Sequence, residues 1–269
     1  MKQILLSFIF SGILTLLNFN LSAQQKVKEI PLKNIQGTAI GNNNESVNQV
    51  LLRAINNAKI EALKKAGVEE NISSFTDYFQ SEYNDKLEEL FTTDILSDIR
   101  GTVKNVEIID SHKSFNEFDK IVVDVKISCI VVKYLSKRDL SFDFWVEGIK
   151  KFYNNNSKLT FKVKPSKDSF VNIFIFNEQE AYILFPNDYE QSYLLKANYE
   201  HTFPSYKVDY WLDTQKETEA HRMIMVFTKQ KIPYTGKIKY KEIIDWIFSI
   251  PPDMRVVKSF VFNVVKEKD

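Results

Sequence analysis

The chain has 269 residues, of which 36 are Lys or Arg and 35 are Asp or Glu. A surface with this balance of charge gives no reason to expect nucleic acid or anionic lipid as a partner. Cys129 is the single cysteine, which excludes an internal disulfide, so the stability must come from core packing. The 21 Phe and 12 Tyr residues favour a sheet-rich fold.

Residues 1–23 have the pattern of a cleavable secretory signal peptide. Lys2 precedes an apolar stretch at residues 4–17, and a short polar stretch ends at Ala23, a small residue suited to a signal-peptidase site. Polar residues interrupt the apolar run too soon for a membrane span, although an uncleaved N-terminal anchor is the alternative. The residue directly after the cleavage site is Gln24 and not cysteine, so we expect a protein that is not a lipoprotein and is not stably inserted in a membrane.

Residues 24–45 form a predicted N-terminal segment with a leading strand at residues 35–40. Ser46 is suited to the N-cap of a helix over residues 47–66, and Gly67 to the position of positive φ that ends it. The apolar residues recur at intervals of three and four, which indicates an amphipathic helix. Because its apolar face is rich in alanine, we expect this helix to approach a sheet closely.

An α+β envelope domain is predicted over residues 46–136. A second, shorter helix is indicated near residues 87–95, followed by strands at 103–111 and 120–134. In the second strand, apolar residues alternate with polar ones, which predicts an antiparallel sheet with one wet face and helices on the other. Cys129 lies in phase with the apolar set, so we expect a buried, inert thiol; a free reactive thiol is the alternative.

The remaining residues, 137–269, are predicted to form a β-sandwich-like domain with one helix. Short strands are indicated at residues 158–163, 169–177, 180–185, 222–228 and 256–265, separated by Pro- and Asn-rich turns. A helix at 240–250 ends at Pro251 and Pro252. The predicted fold class is therefore α+β: an Ala-rich helix on an antiparallel sheet, followed by a mostly β, sandwich-like domain.

The first domain resembles a small envelope domain found in the N-terminal part of the flagellar-assembly protein FlgT and in related outer-membrane lipoproteins. The resemblance covers residues 35–135 and rests on the Ala-rich helix, the Ala66-Gly67-Val68 segment and the strand pattern of residues 101–109 and 120–134. It implies an Ala-rich helix packed on an antiparallel sheet. The chain lacks the lipobox cysteine of the lipoprotein members, so membrane tethering does not follow.

The second half is similar to a domain of unknown function common at the C-termini of bacterial envelope proteins and attached to some serine/threonine kinases. The resemblance covers residues 141–265 and rests on the segments 159–165, 169–176, 181–187 and 221–227, with a Leu-Phe-Pro-Asn signature in the third. It implies a β-sandwich accessory module. The family has no established catalytic residues to transfer.

No motif in the sequence indicates a cofactor or a metal. His112, His201 and His221 form no metal-binding pair at helical spacing, and we expect them at the surface or at strand edges. The seven glycines never cluster as a phosphate loop or nucleophile elbow requires, which argues against nucleotide chemistry. Asp143 and Glu147 could serve a glycosidase, but their charged surroundings favour solvated residues.

Most of the candidate binding residues lie at the end of the third predicted strand of the second half, residues 180–185, and in the connection after it. Proline after an aromatic strand end, followed by Asn and Asp, indicates a tight turn that either ends the strand or contacts a ligand. The segment 189–211 is unusually aromatic, and polar-tipped aromatic side chains serve interfaces and glycan platforms but also cover sandwich ends. The candidate residues are Phe185, Pro186, Asn187, Tyr189, Tyr193 and Trp211.

We therefore expect a non-enzymatic, exported protein that acts through contacts with an envelope protein partner in a periplasmic assembly, with full secretion left open. One alternative is a module that binds a small ligand or glycan through residues 189–211. A second is a hydrolase whose site is assembled from scattered polar residues.

Overall fold

A computed structural model describes residues 27–42, 45–68, 99–177, 180–205 and 208–266. Within these ranges the chain forms thirteen strands and two helices. In chain order they are β1 (Val27–Ile40), α1 (Val47–Lys65), β2 (Gly101–Phe115), β3 (Ile121–Tyr134), β4 (Phe144–Glu147), β5 (Phe152–Asn154), β6 (Ser157–Leu159), β7 (Phe161–Pro165), β8 (Phe170–Phe176), β9 (Ala181–Phe185), β10 (His201–Phe203), β11 (Tyr210–Leu212), β12 (Thr218–Thr228), α2 (Tyr240–Ser249) and β13 (Arg255–Val265). The predicted signal peptide and the predicted helix near residues 87–95 lie outside the described residues.

Helix α1 begins and ends at the residues that the sequence indicates. The Ser46 hydroxyl accepts a hydrogen bond from the Gln49 backbone N–H at 3.3 Å, and the Gln49 side chain accepts one from the Ser46 N–H at 2.7 Å. This reciprocal capping box satisfies backbone donors that the first helical turn leaves unpaired. Gly67 follows the helix with φ of 71°, so the predicted helix end is confirmed.

The first sheet has the strand order β1-β3-β2, and both pairs are antiparallel. On β3 the odd-numbered residues from Val123 to Val131 are buried against α1, while Asp124 lies exposed on the other face. The predicted burial of Cys129 is confirmed, and burial raises the pKa of its thiol. A raised pKa disfavours the thiolate, which is the reactive form.

The close approach of α1 to the sheet is confirmed and is made at Gly37 of β1. A Cβ atom added to Gly37 would lie 2.2 Å from the Ala54 carbonyl oxygen and 2.7 Å from the Ala58 Cβ. Both alanines are fully buried. Glycine on the strand and alanine on the helix thus let the two backbones meet almost directly.

The second half contains a five-stranded sheet with the order β5-β13-β12-β8-β9, in which only the β5–β13 pair is parallel. A second layer consists of the sheet β10-β7-β4 and the pair β11-β6. The two layers share one buried core, so the predicted α+β fold class with a mostly β, sandwich-like second half is confirmed. Strands β4, β5, β10 and β11 were not predicted, and β10 and β11 lie inside the aromatic segment that was predicted to be a connection.

The five-stranded sheet is covered on both faces by the rest of the fold. Its three central strands, β13, β12 and β8, accordingly carry apolar residues at consecutive positions. On β8, for example, Ile173 faces the second layer, whereas Phe174 faces α2 and the first-half core. On β12, likewise, Met225 faces the second layer and Val226 faces the first-half core. A near-continuous apolar run is what a strand covered on both sides requires.

One hydrophobic cluster joins the first sheet, α1, α2 and one face of the five-stranded sheet. Polar contacts also join the two halves: the Tyr134 hydroxyl donates to the Phe248 carbonyl at 2.9 Å, and Arg255 Nη2 donates to the Ile99 carbonyl at 2.7 Å. The domain division at residue 136 stays a prediction, and buried contacts cross it. In the described ranges, neither helix is long and apolar enough to cross a membrane.

Candidate functional site

The segment that follows β9 is a tight turn organised by Asn187. The peptide bond between Phe185 and Pro186 is cis. The Asn187 side-chain amide donates to the Leu184 carbonyl at 2.6 Å, and its oxygen accepts from the backbone N–H groups of Tyr189 and Glu190 at 2.8 Å each. An Asn side chain that bonds to the backbone two and three residues on gives a turn of this kind its shape. The side-chain polar atoms of Asn187 are therefore already engaged within the turn.

Glu190 ties this turn to the later part of the aromatic segment. Its side chain is buried, and its two oxygens accept from the Ser205 backbone N–H and the Tyr210 hydroxyl, each at 2.6 Å. The Tyr210 oxygen also lies 2.9 Å from the Leu184 carbonyl. Burial, and then the hydrogen bond to Glu190, raise the pKa of Tyr210 well above its usual range. A buried carboxylate needs such partners to offset its desolvation.

Sequence reasoning did not single out Glu190, because it stands among exposed polar residues without a periodic pattern. Its hydrogen-bond partners lie 15 and 20 residues further along the chain. A lone acidic residue between Tyr189 and Tyr193, within a strongly aromatic segment, was the available signal. It becomes meaningful only when the fold brings β11 back to the turn.

The structure separates the six candidate residues into buried and exposed groups. Phe185 is completely buried, and its ring packs edge-on against Phe203 at 4.9 Å between centroids and against Tyr193 at 5.8 Å. Pro186 and Asn187 are half-buried. Phe185 therefore belongs to the core and supports the turn from below, so it is corrected from a candidate contact to a packing residue.

Within the aromatic segment 189–211, the exposed aromatic side chains lie partly on the connection before β10 and partly on β11. Tyr189 is 84% exposed and Tyr199 is 69% exposed, both on the connection between β9 and β10. Tyr193 lies between them, half-covered against Phe185. Trp211 is 60% exposed on β11, where Lys158 Nζ lies 4.9 Å from the centre of its ring. Tyr206, also part of the aromatic segment, lies outside the described residues.

The three histidines do not all lie where the sequence predicts. His112 is exposed on β2 and His201 is half-buried on β10, as expected. His221 is buried, which corrects the prediction: its ring stacks on Phe262 at 5.5 Å, and its Nε2 lies 3.1 Å from a Glu219 carboxylate oxygen. In the described part of the chain, no three His, Cys, Asp or Glu side chains are arranged to hold a metal ion.

We expect His221 to make the protein less stable as the pH falls from about 7.5 to about 5.5. Burial lowers the pKa of His221 in the folded protein, although Glu219 opposes the shift, whereas the unfolded value is about 6.5. Below that value the unfolded chain binds a proton that the folded chain does not, so the free energy of unfolding decreases. One site contributes at most about 1.4 kcal/mol per pH unit.

Urea denaturation at the two pH values measures this effect. The His221→Gln variant, which keeps a donor facing Glu219, should show a smaller loss of stability between the two conditions than the unmodified protein. An equal loss in both proteins would contradict the role given to His221.

The carboxylates considered for a hydrolase are engaged with solvent and lysine. Asp143 is exposed and pairs with Lys258 at 3.0 Å between the oxygen and Nζ. Glu147 is exposed on β4, opposite Lys162 of β7. A third carboxylate, Asp139, was not among those considered; it accepts hydrogen bonds from Lys167, Lys229 and Ser141, which lower the pKa of its carboxyl far below the usual range. A carboxyl held ionised in this way cannot donate a proton near neutral pH.

Comparison with known proteins places a family match in the second half. Residues 152–231 match the model of a family described as a domain of unknown function (DUF4384). The match begins at β5 and ends shortly after β12, inside the region where the sequence resembles such a domain. No curated protein matches the chain.

Among solved structures, the chain is similar to one chain in the crystal structure of the complex between Zinc 2-glycoprotein and Prolactin inducible protein from human seminal plasma. The sequence identity is 17%, the alignment covers 46% of this chain and 93% of the other, and the TM-score is 0.26. A TM-score this low assigns neither a fold nor a function.

Proposed function

We propose that this protein is exported to the bacterial cell envelope and acts there as a non-enzymatic module that binds a protein partner. The observation that carries the proposal is the pair of strongly exposed tyrosines, Tyr189 and Tyr199, on a connection tied to the sandwich by Glu190. The signal-like residues 1–23 and the resemblance of the first half to an envelope domain support the location.

The hydrogen bonds of Glu190 hold the connection in place, which reduces the conformational entropy that is lost when a partner binds. Ordering a rotamer-rich side chain or loop at an interface costs about 0.5–1.5 kcal/mol per side chain. Here the Asn187 turn and the Glu190 carboxylate hold the backbone before a partner arrives. Tyrosine adds large contact area with few rotatable bonds and a polar tip, which suits it to interfaces.

The proposed non-enzymatic role is supported by how the buried ionisable groups of this region are used. Glu190 holds the backbone of Ser205 and the hydroxyl of Tyr210, and these contacts use both of its oxygens. Glu219 and His221 contact each other beneath the surface, packed on Phe262. Each group has a partner that fixes the fold, so none is left facing a substrate.

Site-specific photocrosslinking in intact cells tests the proposal. A benzoylphenylalanine at position 189 or 199 should give one discrete crosslinked species in the envelope fraction. The same probe at Phe118, which is 71% exposed on the turn between β2 and β3, serves as the matched control and should give none. Mass spectrometry of the purified protein should find a mature N-terminus at Gln24.

The Glu190→Gln variant adds a control for the geometry of the loop. The amide presents a donor where the carboxylate accepts from Ser205 or Tyr210, so the loop should loosen and the crosslink at position 189 should weaken several-fold. Crosslinking that is equal at positions 189 and 118, or a protein retained in the cytoplasm with an intact Met1, would refute the proposal.

A further inference from the structure

The outward face of the second layer carries a feature that the loop proposal does not use. From Lys158 to Pro165, through β6 and β7, exposed and buried residues alternate without interruption. Because opposite residues in an antiparallel pair point to the same side, the neighbours on β4 and β11 extend this face. Its principal residues, here termed the tryptophan face, are Trp145, Glu147, Lys158, Lys162, Lys164 and Trp211.

Two of the three tryptophans of the chain lie on this face, one at each end. Trp145 is opposite Lys164 and is 49% exposed, and Trp211 is opposite Lys158 and is 60% exposed. A strand rises about 3.3 Å per residue, so Lys158 and Lys164, the residues opposite the two tryptophans, lie about 20 Å apart along the strand direction. Tryptophan is enriched at contact surfaces relative to the rest of the protein surface, and here two of them share one face.

The three lysines of the tryptophan face are matched by three carboxylates on and beside it, and two of the lysines form ion pairs. Lys158 Nζ lies 2.8 Å from an Asp209 oxygen, and Lys162 Nζ lies 3.1 Å from a Glu200 oxygen. Glu147, opposite Lys162 across the strands, adds a third carboxylate to match the third lysine. A surface without net charge gives no electrostatic advantage to a polyanion or to a strongly basic partner.

The spacing of apolar and polar groups further limits the ligand. A protein interface is built around a contiguous apolar core with a polar rim. Here the order is reversed, because two indoles flank a polar centre that offers ammonium donors at Lys162 and Lys164 and carboxylate acceptors at Glu147. A ligand that complements the tryptophan face is therefore an extended, uncharged molecule with flat apolar faces at both ends and hydroxyl groups between them.

From this arrangement we infer that the tryptophan face binds a neutral oligosaccharide, with sugar rings stacked on Trp145 and on the side of the Trp211 ring away from Lys158, and hydroxyl groups bonded to Lys162, Lys164 and Glu147. The distance between the two indoles exceeds one sugar ring, so the ligand must be a chain of several sugars. This inference does not depend on the protein partner proposed for the connection that carries Tyr189 and Tyr199, here called the Tyr189 loop. Trp145 and Lys164 take no part in that loop.

Titration with defined hexasaccharides tests the inference on the intact mature protein. The probes are hexamers of β-1,4-linked glucose, of N-acetylglucosamine and of mannose, with hyaluronan hexasaccharide as the anionic comparison. We expect saturable binding of at least one neutral hexamer, followed by calorimetry and by tryptophan fluorescence. Raising the salt to about 0.5 M should change its dissociation constant less than twofold, because no charge is neutralised on binding.

Matched variants connect the binding to the face. Trp145→Ala and Trp211→Ala should each weaken binding by about tenfold or more, while Trp145→Phe should retain part of the affinity. Tyr199→Ala, an exposed aromatic substitution on the loop, should leave it unchanged. Thermal melting of each variant checks that the fold is retained.

Three results would overturn the inference. These are the absence of saturable binding to all three neutral hexamers up to millimolar concentration, binding that survives both tryptophan substitutions, and binding of the anionic probe alone that disappears in salt. Each of these leaves the crosslinking result for the loop untouched, so the two proposals fail separately.

Discussion

Replacement of Arg255 by alanine is expected to lower the free energy of unfolding by about 3–5 kcal/mol, the largest effect that we predict for a single substitution. Arg255 is almost completely buried at the start of β13. Its guanidinium donates to the carbonyl of Ile250, just after α2, and to the carbonyl of Ile99, just before β2. Alanine removes these donors and leaves buried carbonyls unpaired next to a cavity.

The position of Arg255 makes the effect larger than that of an ordinary buried residue. One side chain connects the end of a helix in the second half with the entry to the first sheet, beside the Tyr134 bond to Phe248. Arg255 also favours the ionised form of Tyr134, although burial of the phenol dominates and raises its pKa to about 12. Loss of the guanidinium therefore loosens the contact between the halves as well as the local packing.

Urea denaturation followed by far-UV circular dichroism measures the change. Arg255→Lys should lose less than the alanine variant, because an ammonium can still donate to a carbonyl. Lys151→Ala, which truncates an exposed cation in the same half, should change stability by less than about 0.5 kcal/mol. A loss below about 1 kcal/mol for Arg255→Ala would show that the buried guanidinium is not needed there.

Replacement of Gly37 by alanine is expected to destabilise the protein by about 3 kcal/mol. The new methyl group would lie 2.2 Å from the Ala54 carbonyl oxygen and 2.5 Å from the Ala58 nitrogen, both of which belong to the helix backbone. Backbone atoms cannot rotate away as a side chain does, so α1 as a whole must shift from the sheet. That shift would open gaps along the Ala-rich contact.

Gly41→Ala is the matched control for this substitution, because Gly41 also lies near the end of β1 and beside α1. Its added Cβ would lie 3.0 Å from a Val50 methyl group and 3.3 Å from the Ile121 carbonyl oxygen. We therefore expect a cost clearly smaller than at Gly37. Thermal denaturation of the two variants compares them, and equal melting temperatures would contradict the close packing assigned to Gly37.

Elements that are encoded locally could be read from the sequence. Ser46 and Gly67 mark the ends of α1 because capping and positive φ depend on the residue itself and its immediate neighbours. The long strand β3 could be recognised, with the burial of Cys129, because apolar and polar residues alternate from Val123 to Cys129. The helix α2 was long enough to show its period, and the long apolar runs of β8 and β12 indicated strands.

Short strands could not be read in this way. Strands β5, β10 and β11 have three residues each, too few to show an alternation, and they depend on hydrogen bonds from partner strands distant in the sequence. The sequence also could not predict that both faces of the five-stranded sheet are buried. Consecutive apolar residues on β8 are compatible with a cover on either side or on both.

In the candidate site, too, the locally encoded features could be predicted and those that depend on tertiary contacts could not. The sequence by itself determined that residues 185–211 contain a tight turn and an excess of aromatic side chains, because these are properties of composition and local geometry. Only the tertiary structure decided that Phe185 is core, that Glu190 is buried against Ser205 and Tyr210, and that Trp145 shares a face with Trp211. Those outcomes depend on contacts between residues far apart in the chain, and which residues meet is set by strand pairing and by the apolar surface that the whole fold can bury.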